Sequence, residues 1–407
     1  RLDAQRRRLL LSALAAAGAA GCGVAPAPPR SASSAGEMPL QLLRTGDIGG
    51  LPWVELELAG MPTRWLIDSG ATTALISPAL AAQLGLPKLS SVRVAMAGGA
   101  QTVERFTLPP LPHFGAAGPA EASAVALDPG VLLGLGDSPL HGVLGAAWLR
   151  HGATTFDFAR ARLSWGPAPS PASASAALGL PLRWDAGLPT VSLAIGARAA
   201  DSFLLDTGNA GALVVFAQRA QALLAEASGL PATTVHEPGG NVEARFARID
   251  RLSAPGVAWR QVPAALESGA AARRGGHFDR LAGSLGVALF EAGSLTIDGP
   301  GERLWIDLAG LPEPSPLPGG FGLRLAQQAG GGLRIGALID GGPAAAAGVE
   351  VGDSVVGIDA ADVERWPVAQ AWQAMAHRPQ VTLVLRRAGG ARRQLVLRRA
   401  PFFPLLR

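Results

Sequence analysis

A seven-residue motif occurs twice in this chain, and the duplication limits the available folds more than any other feature. The copies are Trp65-Leu66-Ile67-Asp68-Ser69-Gly70-Ala71 and Phe203-Leu204-Leu205-Asp206-Thr207-Gly208-Asn209. In each, an apolar run with the pattern of a buried strand leads into an Asp, a hydroxyl residue and a Gly that marks a sharp turn. A carboxylate at the end of a buried strand is costly unless it is partnered. Two of them on equivalent strands are expected to meet.

The likeness extends beyond the motif, as a duplicated unit requires. Gly50-Leu51-Pro52 and the alternating strand Val54-Glu55-Leu56-Glu57-Leu58 precede the first copy; Gly187-Leu188-Pro189 and Val191-Ser192-Leu193-Ala194-Ile195 precede the second. After each Asp come a Gly-Gly turn (Gly98-Gly99, then Gly239-Gly240) and a polar strand ending in Arg105-Phe106 or Arg245-Phe246. An apolar stretch closed by Gly follows, Val143-Leu144-Gly145 and Ser284-Leu285-Gly286, and then Arg162-Leu163-Ser164-Trp165 and Arg303-Leu304-Trp305. Measured from each Asp, these landmarks drift by at most three residues between copies. Two polar departures stand in the second copy: Asn209 in the place of Ala71, and Ser284 before Leu285-Gly286.

This combination resembles the lobe of an aspartic peptidase of the retropepsin and pepsin clan. The stretch from Ile67 to Leu80 is especially similar to bacterial retropepsin-like proteins. The resemblance covers about residues 45–310 and implies a mainly β fold with two retropepsin-like β-barrel lobes. It assigns Asp68 and Asp206 as the catalytic pair. Ser69 and Thr207 would bond across the lobes, and Gly70 and Gly208 would let backbone approach the pair. The hairpins at Gly98-Gly99 and Gly239-Gly240 would be flaps that grip a peptide by strand addition. Two carboxylates sharing one proton can activate a water and protonate a carbonyl oxygen, without metal or cofactor. The competing reading of each Asp alone is a turn-former bonding its own backbone. The chain has no Tyr, so the flap Tyr of pepsin-like enzymes is absent.

Residues 319–400 resemble a PDZ domain. Gly341-Gly342-Pro343 through Gly348-Val349-Glu350-Val351-Gly352-Asp353 is very similar to a stretch carried by bacterial PDZ modules. The loop Gly320-Phe321-Gly322-Leu323 matches the one whose backbone N–H groups hold a peptide's terminal carboxylate. The groove helix is expected near Trp366–Ala376, with a hairpin around Gly389-Gly390.

The chain ends complete the plan. Arg6-Arg7-Arg8 followed by the apolar run Leu9–Ala20 reads as a signal peptide over 1–22, through the general or the twin-arginine route. Ala19-Ala20-Gly21-Cys22 resembles a lipobox, with Cys22 the lipidated residue and a membrane lipid anchor as the consequence. The alternative is an Ala-rich signal cut by ordinary signal peptidase. Either way the expected location is the periplasm or envelope of a bacterium. A tether is expected over 23–40, lobe one over 41–166, a Pro-rich linker over 167–177, lobe two over 178–310 and a second linker over 311–318. A single cysteine in 407 residues excludes an intrachain disulfide, and the net charge of +4 with no nucleic-acid motif argues against a nucleic-acid partner. His113, His141, His151 and His236 lack metal-ligand spacing. Three functions fit: an exported aspartic endopeptidase whose PDZ domain binds or positions peptide C-termini, an inactive protease fold used for peptide binding, and an envelope scaffold.

Overall fold

The computed structural model describes residues 35–96, 99–109, 122–132, 140–168, 177–227, 229–237, 240–268, 276–307, 320–328, 331–376, 378–387, 389–401 and 403–406. The signal peptide with Cys22, most of both linkers, and Gly98 and Gly239 of the flaps lie outside them.

The chain is mainly β. Lobe one contains β1 (Gly36–Pro39), β2 (Gln41–Leu43), β3 (Leu51–Leu58), β4 (Met61–Asp68), β5 (Ala74–Ile76), β6 (Lys88–Met96), β7 (Gly99–Thr107), β8 (Ser123–Ala126), β9 (Gly142–Gly145), β10 (Ala153–Asp157) and β11 (Arg162–Gly166). Lobe two contains β12 (Ala177–Pro181), β13 (Arg183–Asp185), β14 (Leu188–Ile195), β15 (Asp201–Leu205), β16 (Leu213–Val215), β17 (Ala232–Glu237), β18 (Gly240–Ala254), β19 (Val257–Ser268), β20 (Gly283–Leu285), β21 (Ser294–Asp298) and β22 (Arg303–Asp307). The sheet of lobe one runs β2-β3-β4-β9-β5-β8-β7-β6, and that of lobe two β13-β14-β15-β20-β16-β19-β18-β17. The two orders are the same, strand for strand.

Local sequence explains the strands that matter for the site. In β3, Val54, Leu56 and Leu58 are buried while Glu55 and Glu57 are exposed, the alternation of a strand with one face on a core. In β4, Trp65, Leu66 and Ile67 are all buried, because a second layer covers the other face. Parallel pairing of β4 with β9 sets Asp68 beside Gly145, and the same pairing of β15 with β20 sets Leu205 beside Leu285. Ser77 caps the helix Pro78–Gln83 by accepting from the N–H of Leu80 at 3.2 Å. The equivalent helix of lobe two is Ala217–Ala225.

The lobes join through a six-stranded sheet, β1-β11-β10-β21-β22-β12. Its order is palindromic: three strands before the centre belong to lobe one and three after it to lobe two. At the centre Thr155 pairs with Thr296, and their hydroxyls meet at 2.7 Å. Residues 36–39 differ here from the tether expectation. Gly36–Pro39 is an edge strand of this sheet, paired with Arg162–Trp165, with Met38 buried.

The third unit is a PDZ domain of β23 (Leu323–Gln327), β24 (Leu333–Leu338), β25 (Ser354–Ile358), β26 (Ala361–Asp362), β27 (Gln380–Arg386) and β28 (Arg392–Arg398), in sheet order β23-β24-β25-β27-β28 with β26 on β25. Its helix Val368–Met375 buries Val368, Ala371, Trp372 and Met375, a single helical stripe. This core is continuous with lobe one, where Leu43, Leu51 and Leu66 join the cluster that holds Phe321 and Leu323. A final short strand, β29 (Leu405–Leu406), returns to lobe two and pairs with β18 in parallel. Phe403 stacks on Phe246 with ring centroids 5.0 Å apart, so the PDZ unit is tied to the lobes at both of its ends.

Candidate active site

The two Asp-Ser/Thr-Gly turns face each other across the lobe boundary. The hydroxyl of Ser69 donates to the carbonyl of Leu205 at 2.7 Å and accepts from the N–H of Thr207 at 2.9 Å. The hydroxyl of Thr207 reciprocates, donating to the carbonyl of Ile67 at 2.7 Å and accepting from the N–H of Ser69 at 2.9 Å. Both side chains are buried, at 0% and 2% exposure, so these four bonds are shielded from water. They hold the two turns in one geometry.

That geometry brings the carboxyl groups of Asp68 and Asp206 into hydrogen-bond contact. Within each turn the Asp also accepts from the N–H two residues on, from Gly70 at 2.8 Å and from Gly208 at 3.0 Å. The turn-forming role and the meeting of the two acids therefore coexist. Asp68 is half-buried. Burial pushes its carboxyl above the usual carboxylate range, against the opposing pull of the Gly70 and Ala71 N–H groups, the Asp206 side chain and the Gly208 N–H. Two carboxyls in contact cannot both ionise cheaply, and they titrate as a pair.

The glycines are there for room. Neither Gly70 nor Gly208 has a positive φ. A Cβ on Gly70 would sit 2.4 Å from the Oδ1 of Asp206, and one on Gly208 2.4 Å from the Oδ1 of Asp68. A Cβ on Gly145 would meet the carbonyl of Ala71 at 2.5 Å, and one on Gly286 the carbonyl of Asn209 at 2.4 Å. The closing glycine of each apolar stretch thus seats against the back of its Asp-Ser/Thr-Gly turn. The two polar departures in lobe two answer each other: the Asn209 amide donates to the Ser284 hydroxyl at 3.2 Å and its Oδ1 accepts from the N–H of Gly211 at 2.9 Å.

Gly99 opens β7 and Gly240 opens β18, each at the tip of a hairpin, with Met96 paired to Gly99 and Glu237 to Gly240. Among the described residues no cluster of three or more His, Cys, Asp or Glu could hold a metal ion, and no helix is long and apolar enough to cross a membrane.

The loop Gly320-Phe321-Gly322-Leu323, expected from its resemblance to take a peptide's terminal carboxylate, holds a carboxylate from within the chain. The N–H groups of Phe321 and Gly322 donate to the two oxygens of Asp47 at 2.9 and 3.0 Å. Arg399 lies 3.7 Å from the same carboxylate, with its guanidinium over the Phe321 ring at 4.6 Å. Sequence reasoning assigned Asp47 no role. It lies in Arg44-Thr45-Gly46-Asp47-Ile48-Gly49-Gly50, a stretch that reads as a polar loop, and its partner Phe321 is 274 positions away.

Comparison with known proteins agrees with this architecture. Residues 54–148 match the aspartyl protease family model and residues 313–386 match the PDZ domain model. The chain therefore carries an aspartic protease-like domain followed by a PDZ domain. Among solved structures it is similar to basic 7S globulin from soybean, at 13% identity over 69% of this chain and 98% of the other, with a TM-score of 0.37. It is also similar to conglutin gamma, a basic 7S globulin from lupine seeds, at 11% identity over 69% and 96%, with a TM-score of 0.38. A retropepsin-like aspartic protease from Rickettsia conorii aligns at 15% identity over 33% of this chain and 93% of that one, with a TM-score of 0.22. No curated protein sequence matches the chain.

Proposed function

We propose that this chain is an aspartic-type endopeptidase that cleaves peptide bonds with water activated by Asp68 and Asp206, and that its PDZ domain receives peptide C-termini. The observation that carries the proposal is the pair of carboxyls in contact, held by four reciprocal bonds that the Ser69 and Thr207 hydroxyls make across the lobe boundary. Two half-buried acids set against each other, with the Asp68 carboxyl held above its usual range, are what a pair that shares one proton requires.

The chemistry follows from one proton shared by two groups. The ionised carboxylate takes a proton from water as the water oxygen bonds to the peptide carbonyl carbon. The protonated carboxyl gives its proton to the carbonyl oxygen, leaving a neutral gem-diol. On collapse, one diol hydroxyl returns its proton to a carboxylate. A carboxyl protonates the amide nitrogen, the carbon–nitrogen bond breaks, and the pair is back in its starting state. The chain's contribution is position: the grip fixes the turns, and Gly70 and Gly208 let the acids meet.

Export to a bacterial envelope, with lipidation at Cys22, is part of the proposal and rests on the N-terminal sequence alone. It is tested by fractionating cells that make the Cys22→Ser variant, which should leave the membrane fraction. Activity is tested with an internally quenched peptide library and the variants Asp68→Asn and Asp206→Asn. Each is expected to abolish cleavage while leaving the circular dichroism of the fold intact. Full cleavage by either variant refutes the shared-proton chemistry.

A further inference from the structure

The PDZ loop, the lobe-one segment that fills it and the catalytic turn of lobe two form one connected path. Asp47 places both carboxylate oxygens on the two N–H groups of Phe321 and Gly322, with Arg399 supplying the counter-charge. This is how a peptide's terminal carboxylate would be held. Asp47 and Arg399 have only 9% and 14% of their side chains exposed, so the site is closed to solvent. Beside it, β23 pairs with β24 on one edge, and no strand pairs with its other edge among the described residues. The edge that strand addition would use thus carries no paired strand among the described residues, while the carboxylate end is filled.

The segment that delivers Asp47 is anchored on lobe two at both sides. Arg44 forms an ion pair with Glu291. Gly49, with a φ of +63°, lies so close to the turn after Asp206 that a Cβ would stand 1.8 Å from the Ala210 carbonyl. Only Ile48 separates the residue in the PDZ loop from the residue on the catalytic turn.

We propose that Asp47 is a built-in ligand of the PDZ carboxylate loop, that a peptide with a free C-terminus binds by displacing it, and that displacement loosens residues 44–50 from the catalytic turn at Ala210. The proposal deepens the peptide-binding role given above to the PDZ domain and rests on it. A tethered carboxylate competes at a high effective concentration, so the external peptide meets a site that is mostly occupied. The apparent affinity is reduced by the fraction of time the site is open.

The test uses the full chain and a fluorescein-labelled decapeptide ending in Leu-Val, as free acid and as amide, read by anisotropy. Asp47→Ala is expected to bind the acid about tenfold or more tightly than the unaltered chain, with the amide weak for both. Asp47→Asn moves the same way and carries the comparison if a melting curve shows that the Ala variant is unfolded. Saturating acid peptide should also raise amide hydrogen exchange at residues 209–212 of the unaltered chain. Equal binding by folded variants and the unaltered chain, equal binding of acid and amide, or unchanged exchange at 209–212 with peptide bound each overturns the proposal. None of these measurements needs turnover. Their failure therefore leaves the endopeptidase reading standing, and an inactive dyad leaves this one standing.

Discussion

Gly208→Ala tests whether the two acids must touch. The new Cβ would stand 2.5 Å from the Cγ of Asp68 and 2.4 and 2.6 Å from its two oxygens. Carbon atoms rest at about 3.5 Å, so the carboxyl or the turn must give way by about 1 Å. The turn is poor at giving way, since Thr207 is locked by its bonds to Ser69 and Ile67. Asp68 is therefore the group expected to move, breaking its alignment with Asp206. A misplacement of that size at a reacting centre costs on the order of 100-fold in rate, about 2.7 kcal/mol of barrier. Overpacking adds about 1–3 kcal/mol of lost stability. The assay is kcat/KM on an internally quenched peptide, alongside a melting curve. Gly389→Ala is the control, because a Cβ there has nothing within 4 Å and Gly389 has no positive φ. A folded Gly208→Ala variant within threefold of the unaltered chain would refute the argument, as would an equal loss in the control.

Under the proposed chemistry, the pH–rate profile of the unaltered chain should be bell-shaped, with activity lost on both sides as the pair gains a second proton or loses its only one. Stability carries a matching signature. The folded Asp68 carboxyl is held above its unfolded value, so between about pH 4 and that raised value the folded chain binds more protons than the unfolded one, and stability falls as pH rises. Asp68→Asn should therefore melt higher than the unaltered chain at neutral pH, with the advantage vanishing below about pH 4; a lower melting point at pH 7 would contradict it. Ser69→Ala removes one donor and one acceptor from a site with 0% exposure, stranding the Leu205 carbonyl and the Thr207 N–H. At about 1–3 kcal/mol for each stranded group, chemical denaturation should show a loss of about 2–6 kcal/mol, and an unchanged midpoint would sink the account of the grip.

The order of elements and the pair of acids were legible in the chain because they rest on local pattern. Three apolar residues before Asp68 and before Asp206 specify a buried strand that ends on a carboxylate, and the Gly after each hydroxyl marks the turn. Repetition of those signals in the same order specified two like lobes, and the sheet orders agree strand for strand. The helix expected near Trp366–Ala376 runs from Val368 to Met375, and folding buries its Val368, Ala371, Trp372 and Met375 in the core.

Tertiary structure alone decided the rest. Gly36–Pro39 carries little apolar pattern, and only its pairing with β11 makes it part of the sheet that joins the lobes. Asn209 and Ser284 read as blemishes in the repeat until folding set one side chain against the other. The elevated Asp68 carboxyl depends on how much protein encloses it, which no neighbouring residue in sequence reports. Asp47 is the sharpest case. A single acid in a glycine-rich stretch has no periodicity to betray it, and its significance lies in two N–H groups donated from 274 and 275 residues away. Strands and turns are chosen by interactions between neighbours in the chain, so they can be read along it. A charge acquires its meaning from whatever the fold brings within a few ångströms, and that distance exists only once the chain has folded.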